Sequence, residues 1–272
     1  VLHPDLAAGV QEQLFSLLMA NFLSHRPGGL ATAAVALNPF SEARFGHLLK
    51  PDQGWLRHDS PTAMVSLEGG LEVVEQQRMV MNKRNERNRG LRRGAEVFAT
   101  RDADLLAAYY PIYAQASAHW GVTPTSQDLL QDLLQDPQDQ VFFSCVRYEG
   151  QVIGGHLCLH LGDRVFAWNG VTDPAFARTH FPATLCFWGD LVESCRRGAK
   201  WLDFGASGGI NSLSGFKRYF GAELMERGFY VNDSAGLKML RRVADLGGRA
   251  KAGTTERWHD GATGKPRAGG PA

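Results

Sequence analysis

Three strand-like runs, Val141–Tyr148, Gln151–Leu161 and Arg164–Val171, follow one another with only Glu149-Gly150 and Gly162-Asp163 between them. Two-residue connections of this kind close antiparallel hairpins and nothing else. Residues 141–171 are therefore committed to an antiparallel meander, and the rest of the chain must be arranged around it. Pro182–Arg197 next reads as a helix, with proline at its first position and Gly198 just past its end. Lys200–Phe204 reads as a short buried strand. A strand, a helix and a second strand in succession place the two strands parallel. Two helices precede the meander, Asp102–His119 and Ser126–Leu134, the latter capped by Ser126. A helix over Asn211–Phe220 and a strand over Glu223–Val231 complete the pattern. The order from residue 102 is ααβββαβαβ, which predicts an α/β fold with a central mixed sheet and helices on both faces.

The first third is less regular. Residues 5–25 carry apolar side chains at helical spacing and stop at Pro27-Gly28-Gly29. Leu30–Leu37 is β-compatible, Ser41 would cap a short helix through Leu49, and Trp55–Leu67 reads as one or two strands broken at Ser60-Pro61. A long helix is expected over Leu71–Arg93, ended by Gly94. This reading gives a unit at 1–94, a second at 95–246, and a basic tail at 247–272. That tail is rich in Gly, Ala, Arg, Thr and Pro and is expected to be disordered. A length of 272 residues suits one or two domains. The chain begins with Val1, and an N-terminal portion is expected to be missing from it.

Composition removes several functions. A formal net charge of +1 is too small for a surface that wraps nucleic acid, so any RNA contact must be local. The four cysteines, Cys145, Cys158, Cys186 and Cys195, stand singly and read as reduced thiols of a cytoplasmic protein. The apolar stretch Leu14–Leu23 is interrupted by Ser16 and Asn21 and is too short to span a bilayer. No two histidines and a carboxylate are grouped as metal ligands.

The sharpest chemical feature is Trp201-Leu202-Asp203-Phe204-Gly205, a strand ending in a carboxylate and a glycine. Functional groups of α/β sheets collect at the carboxyl ends of strands. Asp203 there would orient a substrate amine, accept its proton or fix Lys217. Alternatively it caps the following turn through its own backbone. The Asp-Phe-Gly triplet lacks every other element of a kinase. The Gly205–Gly209 segment lacks the acid and histidine that a nucleophile elbow requires. Lys217, flanked by Phe216 and Tyr219, is placed either to stabilise negative charge on an acyl oxygen or to cover the two rings with its stem. Lys83–Arg93 holds six basic residues against Glu86, with Arg84 and Arg87 as candidate phosphate contacts. The same segment is equally readable as a solvated helix face. His156 with His160, and Phe166 with Trp168, alternate along strands and would line an acceptor channel or fill the core.

Gly198–Gly205, followed by Gly215-Phe216-Lys217-Arg218-Tyr219-Phe220-Gly221-Ala222, resembles the closing signature of FemAB-like GNAT acyltransferases. Val152-Ile153-Gly154-Gly155 and the basic Lys83–Gly94 segment extend the resemblance to about residues 30–232. It implies a tandem GNAT architecture whose first half is truncated here. It also implies transfer of an acyl or aminoacyl group from acyl-CoA or aminoacyl-tRNA to an amine, with no tightly bound cofactor. Fem-type members use a peptidoglycan precursor as acceptor and tRNA as carrier, and their lysine at the position of Lys217 assists at the acyl carbonyl. The chain departs from the pattern at Thr172–Pro182, where acetyl-CoA enzymes carry a glycine-rich pyrophosphate loop. Arg178 in that segment stands as a further substrate-binding candidate. No activated nucleophile is evident, so direct attack of the amine on the carbonyl is expected. The competing expectation is a GNAT-like module that binds without catalysis.

Overall fold

The computed structural model describes residues 6–26, 29 and 31–246; the tail at 247–272 and the Pro27-Gly28 stop lie outside them. The elements begin with α1 (Ala8–Ser24), β1 (Thr32–Ala36), α2 (Pro39–Phe45), β2 (Leu56–Asp59) and β3 (Thr62–Ser66). A one-turn helix α3 (Gly70–Val73), a π-helical turn (Val74–Arg78) and α4 (Met81–Arg92) follow. Next come β4 (Ala95–Thr100), α5 (Ala103–Trp120), α6 (Gln127–Leu134), β5 (Val141–Tyr148), β6 (Gln151–Leu161) and β7 (Arg164–Thr172). The chain continues through α7 (Pro182–Arg196), β8 (Trp201–Ala206), α8 (Asn211–Arg218), β9 (Glu223–Met225), β10 (Gly228–Asp233) and α9 (Ala235–Leu246).

Two compact units result among the described residues: Ala63–Leu224 forms one, and the residues up to Thr62 join residues 225–246 in the other. This division differs from a boundary at residue 94, because β3 and the helical segment after it pack into the same core as β8 and α7. The smaller unit is a three-stranded antiparallel sheet, β1-β10-β2. Its core holds Trp55, Tyr230 and the stacked rings of Phe15 and Phe45, whose centroids are 4.8 Å apart.

The larger unit is built on a seven-stranded sheet in the order β4-β5-β6-β7-β8-β3-β9. The meander forms as the turns dictate. Glu149 and Gly150 both take positive φ, 49° and 80°, the pairing that a two-residue hairpin turn of right-handed twist demands. α7 covers one face, where Leu191 and Phe187 pack on Phe142, Cys158, Val165 and Leu202. α5 and α6 cover the other, where Leu106, Tyr109 and Leu130 pack on Phe143, Cys145 and Leu157. β8 lies parallel to β7. The mixed sheet with helices on both faces is the fold that the strand spacing predicts.

Three local expectations are corrected. The helix expected over Leu71–Arg93 breaks at Met79, which is extended. There Val80 N–H donates to Tyr219 O at 2.9 Å and Met79 is 2% exposed, so tertiary contacts override helical spacing. The cap of α2 is Asn38 instead of Ser41: Ser41 N–H donates to Asn38 Oδ1 at 2.9 Å. The single strand expected over Glu223–Val231 is two, β9 in the large sheet and β10 in the small one.

Candidate active site

β7 and β8 are paired in register over three residues only, Arg164–Phe166 with Trp201–Asp203. β7 runs on to Thr172 and β8 to Ala206 with no further register between them. The sheet thus opens beyond Phe166 and Asp203. Parting strands leave backbone N–H and C=O groups available to a ligand, and the carboxyl ends of strands are where such crevices take substrates.

The two residues singled out at the end of β8 meet on one backbone unit. Asp203 Oδ1 accepts the Gly205 N–H at 2.7 Å, and Lys217 Nζ donates to Gly205 O and Ala206 O, each at 2.9 Å. Gly205 holds φ at 76°, a left-handed conformation that L side chains rarely adopt. Asp203 is 6% exposed and Lys217 3%. The Asp203 bond is the turn-capping arrangement, and the lysine fastens α8 to the strand end. Phe216 is half-buried, and its ring packs edge-on to Phe187 at 5.1 Å and beside Phe220 at 5.4 Å, against the core under α7.

The basic helix α4 has two distinct sides. Lys83 is buried, donates to Glu86 Oε2 at 2.7 Å and lies 4.6 Å from the Phe216 ring centre. Thr184 of α7 donates to the same Glu86 oxygen at 2.6 Å. Arg87 is engaged by Glu75 and lies over the Trp188 ring at 5.0 Å, so this candidate phosphate contact holds α4 in place. Arg84 is half-buried. On the outer side, exposed Arg89 lies over the Phe181 ring at 5.1 Å and exposed Arg93 donates to Thr179 O at 2.5 Å. Arg178 is exposed on the same β7–α7 segment. Three arginines are thus gathered along the segment that leads into α7, whose first residue is a proline and whose cap, Phe181, makes no side-chain capping bond.

His156 and Trp168 do not share a channel wall. Trp168 packs into the core under α5, whereas His156 points to α7. The β6–β7 register slips between Gly155 and Leu157. Single His156 therefore faces both Asn169 and Gly170, and Asn169 takes a left-handed φ of 51°. Such a bulge kinks the strand and re-aims side chains. Here it lets the imidazole lie across Gly170, where an added Cβ would sit 2.0 Å from His156 Cδ2 and 2.2 Å from Nε2. His156 Nδ1 is 2.5 Å from Asp190 Oδ2, and Asp190 is fully buried in the middle of α7. Cys158 Sγ donates to the other Asp190 oxygen at 3.3 Å. Asp190 was legible as an anomaly, because an acid inside Leu185–Leu191 must be paired when that face is buried. Its partner, 34 positions away, was not. His160 is different: burial lowers its pKa, the nearby Arg197 charge adds to this, and its Nε2 has no hydrogen-bond partner.

Among the described residues, no group of three or more His, Cys, Asp and Glu is arranged to hold a metal ion. No described helix is long and apolar enough to cross a membrane.

Solved structures share this fold. FemX is similar over 88% of this chain and 80% of its own, at 11% identity and a TM-score of 0.61. A C-terminal domain from Agrobacterium fabrum, described as that of a lysylphosphatidylglycerol synthetase, is similar over 86% of this chain and 78% of its own, at 14% identity and a TM-score of 0.56. L-PGS from Bacillus licheniformis is similar over 84% and 77%, at 16% identity and a TM-score of 0.50. At such identities the likeness is one of fold. No curated protein matches the chain in sequence. The family model described as acetyltransferase (GNAT) domain matches residues 77–218, more than half of the chain. That match runs from α4 to α8 and takes in the whole region described above, and the chain is accordingly a member of the GNAT acetyltransferase-domain family.

Proposed function

We propose that the chain transfers an acyl or aminoacyl group from acyl-CoA or aminoacyl-tRNA to an amine. The acyl end of the carrier would enter between the parting ends of β7 and β8. The observation that carries this reading is the three-residue pairing of those strands, with Asp203 at its last position and Lys217 anchored just beyond. In the reaction the amine nitrogen attacks the ester or thioester carbonyl carbon. The carbonyl π pair moves to oxygen, then returns as the C–O or C–S bond breaks and the amine loses a proton. Lys217 supplies positive charge near the developing oxyanion and holds the Gly205–Ala206 turn still. A preorganised charge of that kind lowers a barrier by roughly 3 kcal/mol.

Arg89, Arg93 and Arg178 would meet carrier phosphates at the start of α7, a helix end that favours anions. Both carriers bear phosphate, so this patch does not choose between them. The FemAB-like resemblance supports a peptidoglycan-precursor amine as acceptor. Four free cysteines fit a reducing, cytoplasmic setting.

The test is turnover by the purified chain with acetyl-CoA and with aminoacyl-tRNA, against a panel of primary amines. Transfer from either carrier, cut about 100-fold or more in Lys217→Ala at a temperature where the variant stays folded, is the expected result. Tight carrier binding by calorimetry without transfer to any amine would instead establish a binding module.

A further inference from the structure

We infer that His156 is the proton acceptor for the attacking amine, with Asp190 as its positioning residue. This rests on the acyl-transfer reading above and adds to it the group that takes the proton. An ammonium-forming attack stalls unless a base removes a proton as the C–N bond forms. The resemblance names no base, and Lys217, an ammonium bonded to two backbone carbonyls, is no acceptor.

His156 has the geometry of one. Its Nδ1 faces Asp190 Oδ2 at 2.5 Å, which fixes the tautomer with the proton on Nδ1 and leaves Nε2 as the basic nitrogen. That nitrogen lies over Gly170, which is exposed and lacks the side chain that would cover it. The β6–β7 bulge creates this opening. The ring also stacks edge-on against Phe187 at 5.1 Å, and Phe187 touches both Phe204 of β8 and Phe216 next to Lys217, at 4.4 and 5.1 Å. One shared ring therefore ties the dyad to the end of β8. Asp190 also orders the site. It is wholly buried, so its charge is stable only while His156 and Cys158 stay bonded to it.

The groups around the imidazole leave Asp190 as its charged neighbour. α7 contributes Asp190 and Phe187, with Cys186 one turn before Asp190, β6 itself Cys158, β5 Ser144 opposite, and β7 uncharged Gly170. Burial, and then the Asp190 charge, push both thiols well above the ordinary thiol range, so they stay neutral. In the step, Nε2 takes the proton as the amine adds to the carbonyl. The imidazolium, held by Asp190, then gives that proton to the departing thiolate or alkoxide, so no proton is left over.

The experiment measures kcat and KM across pH with an aromatic amine of low pKa as acceptor, so that the acceptor itself does not titrate. The wild type should show an acid limb in kcat. His156→Gln should lower kcat about 100-fold or more, flatten that limb and leave carrier KM within a few fold. Asp190→Asn should lower kcat at least about 10-fold and shift the limb. Because both sites are buried, Gly170→Ala is the second line: it keeps both side chains but displaces the imidazole and covers Nε2, and should also lower kcat when assayed at a temperature where the variant stays folded. Should the wild type turn over while folded His156→Gln and Gly170→Ala keep its rate and its acid limb, the inference falls and acyl transfer stands. Should the wild type transfer nothing, both fall.

Discussion

Lys83 of the basic helix α4 lies over the Phe216 ring and Lys217 follows Phe216 in the chain, but the two cations keep different company. Lys83 of α4 is bonded to a carboxylate, Glu86, which Thr184 also holds. Arg87, one turn on, is bonded to Glu75, which Trp188 also holds. Lys217 donates to the carbonyls at the end of β8. The two α4 cations tie helix to helix, whereas Lys217 ties α8 to the strand end where the acyl group is proposed to enter. The comparison sets a tie within the helical layer against one at the mouth of the sheet.

Breaking the comparison at Lys217 should have the largest effect. Lys217→Gln can still donate to the Gly205 and Ala206 carbonyls but carries no charge. It should lower kcat about 100-fold while the melting temperature moves little; equal rates would reassign Lys217 to anchoring alone. Lys83→Met should do the reverse. Glu86 would lose its cation in a pocket only 14% exposed, and stability should fall by about 2 kcal/mol in denaturant titration, with kcat within a few fold.

The outer side of α4 is expected to act on the carrier only. Arg93→Ala together with Arg178→Ala should raise carrier KM several fold, flatten its dependence on salt and leave kcat alone. The smallest effect is on acid stability. Burial pushes the Glu193 carboxyl upward, but bonds from Arg196 and Arg197 outweigh it and hold its pKa below the ordinary value. A depressed carboxyl contributes stability above the unfolded-state pKa and loses it as pH falls through the folded one. The melting-temperature advantage of the wild type over Glu193→Gln should therefore be present at neutral pH and shrink below the usual glutamate range.

The sequence carried the meander because turn chemistry is local: Glu149-Gly150 and Gly162-Asp163 need no tertiary information. It carried α6 because Ser126 is a cap and accepts the expected N–H bond from Leu129, and α5 because its apolar residues recur at helical spacing; the cap that Asp102 supplies to α5 was not read. It did not carry the break at Met79, where Val80 N–H donates to Tyr219 O, 139 positions on from Val80. The ends of β8 and α8 were legible as Asp203, Gly205 and Lys217 within fifteen residues of one another. The fate of Arg87 was not, since Glu75 and Trp188 are brought to it by folding. Asp190 with His156 is the same case: each half is ordinary in sequence, and only the bulge at Asn169-Gly170 explains why the pair matters.

The place of β3 beside β8 bears on how the protein can be cut for study. The family match opens at residue 77, after β3 has left the sheet. A clone trimmed to that start would strip the neighbour from the strand that bears Asp203. It would also lose Ala63, Val65 and Leu67 from the core. The bare rim would offer unpaired peptide groups to other copies, and such a clone should come out of expression as insoluble polymer.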